Sequence, residues 1–239
     1  CGIAGLINLN GDPISTSILE NISSAILHRG PDDNGDWIEG NVGFIHRRLS
    51  IIDLSIDAHQ PMISLSKRFV ITYNGELYNY KELRLDLESK GVVFSTNSDT
   101  EVVLNALSYW GEKALLRFNG MFALALWDRE KKKLLLARDR YGIKPIYLAQ
   151  QGKIFAFASE QKAILAHPNF KKSLNKTALY EYFTFQNILT DQTLISNINI
   201  LPAGYYAVLD FHDLSVSPLK LYQYWDYKFL EPTYSVSRH

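Results

Sequence analysis

The first residue is the one cysteine of the 239-residue chain. A cysteine thiol has a pKa of about 8.5, so only a small fraction is thiolate at neutral pH and a base must activate it. At position 1, the α-amino group of the chain is attached to the same residue, and its pKa of about 7.7–8.0 suits a general base. Cys1 is therefore a candidate amino-terminal nucleophile, provided that the initiator methionine is removed.

Two other interpretations of Cys1 stay open on the residues alone. A free cysteine is often a small buried side chain, and Cys1 leads directly into the apolar segment 3–9. A lipid-anchored cysteine is the other alternative, although a tether would be followed by a polar, flexible stretch and not by a strand. A single cysteine excludes an intrachain disulfide.

A thiolate that attacks a carbonyl needs donors for the negative charge that develops on oxygen, and losing one such donor costs about 2.7–4 kcal/mol. Asn74 and Gly75 follow the strand-like segment 69–73 and offer a side-chain amide and an unhindered backbone N–H. The competing interpretation of Asn-Gly is a tight hairpin turn. Residues 76–80 lack the pattern of a partner strand, which weakens that interpretation.

Charged residues nearby could hold a ligand that carries both an α-carboxylate and an α-ammonium group. Arg48 lies between the apolar segments 42–45 and 49–52, a poor place for a charge that meets only solvent. Arginine binds carboxylates in a bidentate manner, and Asp99 or Glu76 would suit the ammonium group. The competing roles are a helix N-cap for Asp99 and a solvated loop charge for Glu76.

Composition argues against several classes of function. The 25 Lys+Arg balance the 25 Asp+Glu, whereas nucleic-acid and acidic-membrane partners draw on a basic surface. The longest apolar run, 121–127, is far shorter than the roughly 18–20 residues of a membrane span, and no signal-peptide pattern is present. His28 lacks a second His at zinc-ligand spacing, and no phosphate-binding glycine loop occurs. We expect a cytoplasmic protein without nucleic-acid or membrane partners.

The elements that must position these residues follow from hydrophobic periodicity and turn residues. Ser17 and Glu20 are expected to form a capping box at the start of the first helix. Strands that cluster in antiparallel pairs, with helices in separate groups, predict an α+β fold without βαβ alternation. The predicted strands are 3–9, 42–45, 69–73, 121–127, 134–138, 145–149, 154–158, 205–209 and 219–225, and the predicted helices are 17–27, 79 to Gly91, 99 or 100 to 110, 161–167 and 176–183.

The order of nine short motifs resembles one known family. From residue 1 to about 227, the chain is similar to the glutaminase domain of glutamine-hydrolysing asparagine synthetases, a class II glutamine amidotransferase. Each motif is weak alone, but their number and order are specific. They are Cys1-Gly-Ile-Ala-Gly, His28-Arg-Gly-Pro-Asp-Asp, Arg48-Leu-Ser-Ile-Ile-Asp53, His59-Gln-Pro-Met62, Tyr73-Asn-Gly-Glu-Leu-Tyr-Asn79, Ser98-Asp-Thr-Glu101, Asn119-Gly-Met-Phe-Ala123, Arg138-Asp-Arg-Tyr-Gly-Ile-Lys-Pro145 and Ala158-Ser-Glu160.

The resemblance implies a four-layer αββα sandwich of two mainly antiparallel sheets, as in amino-terminal-nucleophile (Ntn) hydrolases. It implies that Cys1, at the end of a strand, hydrolyses the side-chain amide of glutamine through a glutamyl thioester. By position, Asn74 and the Gly75 N–H would form the oxyanion hole. The loop from His28 to Asp32 would close over bound glutamine.

The resemblance also assigns the substrate-binding positions. Arg48 would hold the α-carboxylate, because the family motif places this Arg directly before Leu-Ser-Ile, and its neighbour Arg47 would point to the opposite face of a strand. The other positions carried over are Asp99 and Glu76, for the α-ammonium group, and the backbone at Leu49 and Ile52, which would line the pocket.

Family members continue into a synthetase domain, and this chain is expected to be a domain excised before it; the alternative is a protein that is natively short. Residues 1–227 are predicted to form the amidotransferase domain and 228–239 a linker. No cofactor is expected here, whereas ATP and Mg²⁺ are expected only in the synthetase domain, which would use the ammonia to amidate aspartate. The alternatives are another carboxylate acceptor or a non-catalytic glutamine-binding domain. A homodimer is a further expected possibility.

Overall fold

Two six-stranded β-sheets face each other in the computed structural model, which describes residues 1–49, 59–211 and 219–229. Neighbouring strands are antiparallel throughout both sheets. From edge to edge, the first sheet contains β10 (Ile198–Ile200), β8 (Tyr147–Gln151), β9 (Ile154–Ala158), β1 (Gly2–Asn8), β3 (Val42–Arg48) and β2 (Asp33–Glu39). The second contains β12 (Leu219–Gln223), β11 (Tyr205–Asp210), β7 (Lys133–Arg138), β6 (Gly120–Asp128), β5 (Phe69–Leu77) and β4 (Met62–Ile63).

Helices cover the outer face of each sheet. The first sheet packs against α1 (Thr16–Ala25) and α4 (Gln161–Leu165), and the second against α2 (Tyr80–Ser89) and α3 (Asp99–Trp110). A fifth helix, α5 (Lys176–Phe185), follows α4 in the chain. The layers therefore run helix, sheet, sheet, helix, and the predicted αββα sandwich is confirmed.

The alternation of side chains along β1 separates the two faces of the first sheet. Ile3 and Ile7 belong to the apolar core between the sheets, whereas Ala4 and Leu6 pack under α1 and α4. Successive residues of a strand point to opposite faces, so Cys1, which precedes β1, continues the row of Ile3 and Ile7. The first residue of the chain is thus directed between the two sheets.

Most of the predicted elements are present, but one local prediction is wrong and one competing interpretation is excluded. Ser17 is not the N-cap of α1, because the helix begins after Ser15 and no side-chain cap bond is made. Asn74 and Gly75 do not form a hairpin turn, since they lie within β5 opposite Ala123 and Phe122 of β6. The strands β2, β4 and β10 were not predicted; β2 is largely polar, and the other two are very short.

Within the ranges that the structure describes, no helix is both long and apolar enough to cross a membrane. Ile52 and residues 230–239 lie outside those ranges. The expected pocket role of Ile52 and the boundary between a domain at 1–227 and a linker at 228–239 therefore stay predictions.

Candidate active site

A cavity of about 340 Å³ opens beside the first residue of the chain. Its walls come from the start of β1, the end of β3, the end of β5 and the first turn of α3. The residues that carry its chemistry include Cys1, His46, Arg48, Gly75, Glu76 and Asp99. Six of the eight predicted site residues, Leu49 included, thus meet in one cavity although up to 98 positions separate them in the sequence. Asn74 is not among the residues that line it.

Contacts between side chains and backbone carbonyl oxygens hold Cys1 beside this cavity. Its carbonyl oxygen accepts a hydrogen bond of 3.0 Å from Nε of Arg29, and its thiol lies 3.8 Å from the carbonyl oxygen of Leu49. The next residues are fixed by a reciprocal pair of bonds between Ile3 and Ser159. The half-buried thiol is therefore presented on a rigid strand end.

The environment of the α-amino group of Cys1 favours its neutral form. Burial is the largest cause, and the positive charges of Arg29 and Lys144 add to it, so the pKa falls from 8.0 to about 6, although the negative charge of Glu76 acts in the opposite direction. An amine with this pKa is mostly neutral at pH 7. It can therefore accept a proton from the adjacent thiol.

Arg29 is held in place by an ion-pair network around Glu160. Glu160 Oε1 lies 2.8 Å from Nη1 of Arg29 and 2.8 Å from Nε2 of His28, and Oε2 lies 3.2 Å from Nζ of Lys162. Burial raises the pKa of Glu160, but these hydrogen bonds outweigh it and lower the pKa to about 2. The start of the segment 28–32 is thereby tied to the first sheet, while its expected closure over a ligand stays a prediction.

The two adjacent arginines of β3 point in opposite directions. Phe44 lies in the core between the sheets, so the same alternation directs His46 and Arg48 inward. Arg48 is buried and lines the cavity, whereas Arg47 donates from Nε to Oγ of Ser23 in α1 at 2.9 Å. Arg48 is thus the arginine that a ligand in the cavity would meet.

His46 joins the two sheets directly behind the cavity. Its Nε2 lies 3.2 Å from the carbonyl oxygen of Tyr73, and the neighbouring Thr72 donates from Oγ1 to the carbonyl oxygen of Ile45 at 3.1 Å. Burial, followed by the charge of the α-amino group, lowers the pKa of His46 to about 3. A neutral His46 therefore donates from Nε2 and ties β5 of the second sheet to β3 of the first.

Asn74 carries a buried amide whose hydrogen-bonding capacity is not used. Only 2% of the residue is exposed, and its Nδ2 has no hydrogen-bond partner among the described residues. Asn74 shares its strand face with Val70 and Thr72, which face the first sheet. An unpaired buried donor costs about 1–3 kcal/mol, so Asn74 Nδ2 is a candidate donor to a bound ligand.

The backbone N–H of Gly75 lies on the free side of β5. The N–H groups of the residues two positions before and after it bond to side chains: Tyr73 N donates to Oε1 of Gln60 at 2.6 Å, and Leu77 N donates to Oδ2 of Asp99 at 2.9 Å. Since N–H groups two residues apart point to the same edge of a strand, the N–H of Gly75 points away from β6 and toward the cavity.

Glycine is required at this position by packing. A Cβ at Gly75 would lie 2.4 Å from the carbonyl oxygen of Met121 and 2.7 Å from Cβ of Phe122. Both groups belong to β6, which pairs with β5 at this point. The absence of a side chain at Gly75 therefore lets β6 pack closely against β5. The Gly75 N–H, on the opposite edge of β5, stays accessible.

Two carboxylates stand at the far wall of the cavity. Oδ2 of Asp99 accepts hydrogen bonds from the hydroxyl of Tyr73 and from Leu77 N. Burial raises the pKa of Asp99 despite these bonds, and burial together with the charge of Asp99 raises the pKa of Glu76. Asp99 is not the helix cap, because Ser98 accepts the bond from Glu101 N. An ammonium group would relieve the repulsion between the two carboxylates.

Sequence reasoning did not single out Gln60 and His46, which both hold β5 in place. Gln60 is buried and bridges Tyr73 N to Oγ1 of Thr100, to which its Nε2 donates at 3.3 Å. For Gln60, the sequence signal was its place in the motif His59-Gln-Pro-Met62. For His46, it was the apolar stretch that precedes Arg48. A hydrogen bond between residues 27 positions apart leaves no local pattern in the sequence.

Among the described residues, no group of three or more His, Cys, Asp or Glu side chains is placed to hold a metal ion. The chemical groups at the cavity are a thiol with an attached amine, the backbone N–H of Gly75, one arginine and two carboxylates, and the Asn74 amide lies next to Gly75 on β5.

Two facing antiparallel sheets with helices on both outer faces have the architecture of the Ntn-hydrolase fold. The chain belongs to the glutamine amidotransferase domain family, whose family model matches residues 1–225. Among solved structures, glutamine phosphoribosylpyrophosphate amidotransferase from Bacillus subtilis has the same fold, with a TM-score of 0.68 and 17% identity over 94% of this chain and 49% of that one.

Two curated relatives are named as asparagine synthetases. Glutamine-hydrolysing asparagine synthetase 3 of Bacillus subtilis is 36% identical over 231 residues, which is 95% of this chain and 36% of that protein. Putative glutamine-hydrolysing asparagine synthetase 2 of Methanocaldococcus jannaschii is 35% identical over 254 residues, covering 98% of this chain and 48% of that protein. The chain spans less than half the length of these relatives.

Proposed function

We propose that the chain hydrolyses the side-chain amide of glutamine to glutamate and ammonia, with Cys1 as the nucleophile. The observation that carries the proposal is the buried Asn74 amide, whose Nδ2 has no hydrogen-bond partner within the described part of the chain and which faces the first sheet, where Cys1 precedes β1. Membership in the glutamine amidotransferase domain family supports the choice of substrate.

In the first half of the reaction, the neutral α-amino group takes the thiol proton, directly or through one water, and the thiolate attacks the amide carbon. Asn74 Nδ2–H and Gly75 N–H donate to the oxyanion of the tetrahedral intermediate. The protonated amine then gives its proton to the departing nitrogen. Ammonia leaves as the carbon–nitrogen bond breaks, and a glutamyl thioester remains on Cys1.

In the second half, a water molecule attacks the thioester carbon and transfers a proton to the α-amino group. The same two donors stabilise the second oxyanion. The carbon–sulfur bond breaks, the thiolate recovers its proton from the amine, and glutamate is released. One water is consumed for each glutamine, so the chemistry needs neither metal nor redox cofactor from this chain.

The walls of the cavity suit the other end of glutamine. Arg48 is buried at the end of β3, where a bidentate bond to the α-carboxylate is favourable. Asp99 and Glu76 would bind the α-ammonium group, which neutralises a pair whose pKa values are raised by burial. Glutamine would thus be fixed at both ends of its α-carbon, with its amide directed to Cys1.

The test uses the 1–239 chain with a free Cys1. Incubation with glutamine should release glutamate and ammonia in equal amounts, and a diazo-ketone analogue of glutamine should add one label, at Cys1. Binding of glutamine without hydrolysis or labelling would instead favour a non-catalytic glutamine-binding domain. A form that retains a methionine before Cys1 should be inactive, because its α-amino group is no longer attached to Cys1.

We propose further that residues 228–239 connect residues 1–227 to a synthetase domain that uses ATP and Mg²⁺ to amidate aspartate with this ammonia. The lengths and names of the two curated relatives support this proposal. The alternative acceptor is another carboxylate. Product analysis with the full-length protein, ATP and a panel of carboxylates decides between them, since asparagine forms only in the first case.

A further inference from the structure

Tyr73 occupies the position directly before the two proposed oxyanion donors. Side chains alternate along β5, so Tyr73 points away from the first sheet and belongs to the apolar core between the second sheet and its helices α2 and α3. Only 2% of the residue is exposed. A buried tyrosine hydroxyl usually has a hydrogen-bond partner, and the identity of that partner indicates what the hydroxyl does.

The partner of this hydroxyl is a carboxylate of the cavity. The Tyr73 hydroxyl donates to Oδ2 of Asp99 at 3.1 Å, and the backbone N–H of Leu77 donates to the same oxygen at 2.9 Å. Two bonds to one oxygen fix the rotation of the carboxylate, because turning it would break both. Asp99 lines the cavity, and in the proposed function it binds the α-ammonium group of glutamine.

The same bond favours the charged form of Asp99. Burial raises the pKa of Asp99, and the bonds from Leu77 N and the Tyr73 hydroxyl act against it. The hydroxyl itself stays protonated, because burial, followed by the charge of Asp99, raises the pKa of Tyr73 well above its usual value of 10. Tyr73 therefore remains a donor at neutral pH, and the charged carboxylate that it supports is the form that attracts an ammonium group.

The backbone of Tyr73 is also held in place by side chains. Its N–H donates to Oε1 of Gln60 at 2.6 Å, and its carbonyl oxygen lies 3.2 Å from Nε2 of His46. Gln60 donates in turn to Oγ1 of Thr100, the neighbour of Asp99. The strand β5 and the first turn of α3 are therefore joined through both the main chain and the side chain of one residue, which presents the hydroxyl at a defined place.

We propose that Tyr73 is a positioning residue, whose hydroxyl holds the Asp99 carboxylate in the orientation that binds the α-ammonium group of glutamine. The inference rests on the proposed function, because it assigns a role at the same site. Tyr73 acts through Asp99 and not on the reacting amide. It therefore sets the affinity for glutamine and leaves the chemical step at Cys1 unchanged.

The test compares Tyr73→Phe, which removes a single oxygen atom, with the wild-type 1–239 chain. The KM for glutamine should rise about tenfold, because hydrogen bonds to charged groups are among the stronger ones in proteins, and kcat should stay within about twofold. The matched control is Tyr224→Phe. It removes a hydroxyl that donates to the carbonyl oxygen of Arg138 at 2.8 Å, away from the residues that line the cavity, and should leave both constants unchanged.

A double-mutant cycle asks whether the effect passes through Asp99. Tyr73→Phe should lower kcat/KM about tenfold in the wild-type background and should not lower it further in an Asp99→Ala background, because the cycle isolates the coupling between the two groups. Equal losses in both backgrounds would overturn the proposal, since the hydroxyl would then act on the fold of β5. An unchanged KM in Tyr73→Phe, or a fall in kcat at constant KM, would overturn it as well.

The failure of this inference can be told apart from the failure of the proposed function. A wild-type chain that does not hydrolyse glutamine would refute the proposed function, and the role of Tyr73 is then tested by calorimetric titration with L-glutamate. The dissociation constant of glutamate should rise about tenfold in Tyr73→Phe and stay constant in Tyr224→Phe. The same constant in Tyr73→Phe as in the wild-type chain, or no binding of glutamate to the wild-type chain, would overturn the proposal.

Discussion

The strand β1 has a cavity near each end, and the larger one is not where the chemistry gathers. The cavity beyond Asn8 measures about 710 Å³, against about 340 Å³ for the cavity at Cys1. At the larger cavity, polar groups bond to their own loop: Nδ2 of Asn8 donates to the carbonyl oxygens of Asp12 and Pro13, and Nδ1 of His167 accepts from Asn169 N.

The smaller cavity has the opposite character. The amide of Asn74 keeps an unused donor, the α-amino group has a pKa of about 6, and burial raises the pKa values of Glu76 and Asp99. Volume alone therefore does not locate a site. Convergent polar groups with unused bonding capacity and shifted pKa values favour the smaller cavity as the candidate site, because they are costly unless a ligand compensates them.

The largest expected effect comes from removing the thiol. Cys1→Ser should lower the rate of glutamine hydrolysis by at least roughly 1,000-fold, because a hydroxyl is a much weaker nucleophile at this pH. The melting temperature should not change, since one atom is replaced at a half-buried position. The control at the other cavity is Ser15→Ala, which should retain activity within twofold. Full activity of Cys1→Ser would contradict the proposed mechanism.

A pair of asparagine variants sets the two ends of β1 directly against each other. Asn74→Ala should lower kcat by about 100- to 1,000-fold through loss of an oxyanion donor, with a small change in stability because the lost amide has no partner. Asn8→Ala should instead lower stability and leave hydrolysis unchanged. It breaks two hydrogen bonds and should cost about 1–2 kcal/mol of unfolding free energy, with activity unchanged.

Steady-state kinetics and denaturant unfolding of both asparagine variants provide the measurements. A destabilised Asn74→Ala with normal kcat would mean that this amide has a structural role. The asparagines at the two cavities, Asn8 and Asn74, would then both have structural roles.

His46 should make the protein sensitive to acid. Its pKa is 6.5 when unfolded and about 3 when folded, so below pH 6.5 the unfolded state binds the proton first and stability falls as the pH is lowered. The free energy of unfolding should drop by about 2 kcal/mol between pH 6.5 and pH 5 from this residue. His46→Gln, measured by denaturant unfolding at both pH values, should lack this part of the loss; an identical loss in both proteins would contradict the assignment.

The smallest effect concerns the pH profile of hydrolysis. Because the α-amino group must be neutral to act as a base and its pKa is about 6, kcat/KM should rise with pH through about 6 and then level off. The charge of Lys144 contributes to this low pKa, so Lys144→Met should move the midpoint to higher pH. Lys153→Met, at the larger cavity, should leave it in place. A midpoint near 8 in the wild-type chain would show that the amine is not desolvated as described.

The strands of the two central layers could be predicted from local pattern, because apolar runs such as 121–127 and 154–158 coincide with β6 and β9. Local pattern was less successful where a strand is polar or short. β2 has the sequence Asp-Asn-Gly-Asp-Trp-Ile-Glu and becomes a strand by pairing with β3 along its whole length. A strand that forms because it pairs with its neighbour needs no hydrophobic periodicity of its own, and β2 has none that would predict a strand.

Asn74-Gly75 illustrates how tertiary context overrides a local turn signal. Asn-Gly is a strong hairpin dipeptide, but here both residues pair with β6, and the close approach of Met121 and Phe122 explains why the second is glycine. The same applies to Asp99, where Ser98 takes the capping role and leaves the Asp99 carboxylate to bond Tyr73 and Leu77.

The amino-acid sequence by itself determined the composition of the candidate site. A cysteine at position 1 carries its own base, the arginine and carboxylates have the chemistry to bind an amino acid, and the motif order indicates the family. None of this requires coordinates, because it depends on residue type, on the attachment of the α-amino group and on order along the chain.

Only the tertiary structure decided which of these groups share a cavity and in what state. Side-chain alternation on β3 directs Arg48 inward and Arg47 to α1, and burial lowers the pKa of the amine to about 6. Packing leaves Asn74 Nδ2 without a hydrogen-bond partner among the residues that the structure describes. The physical reason is that burial and the distance between groups on separate strands are set by the packing of two sheets, which no local stretch of sequence encodes.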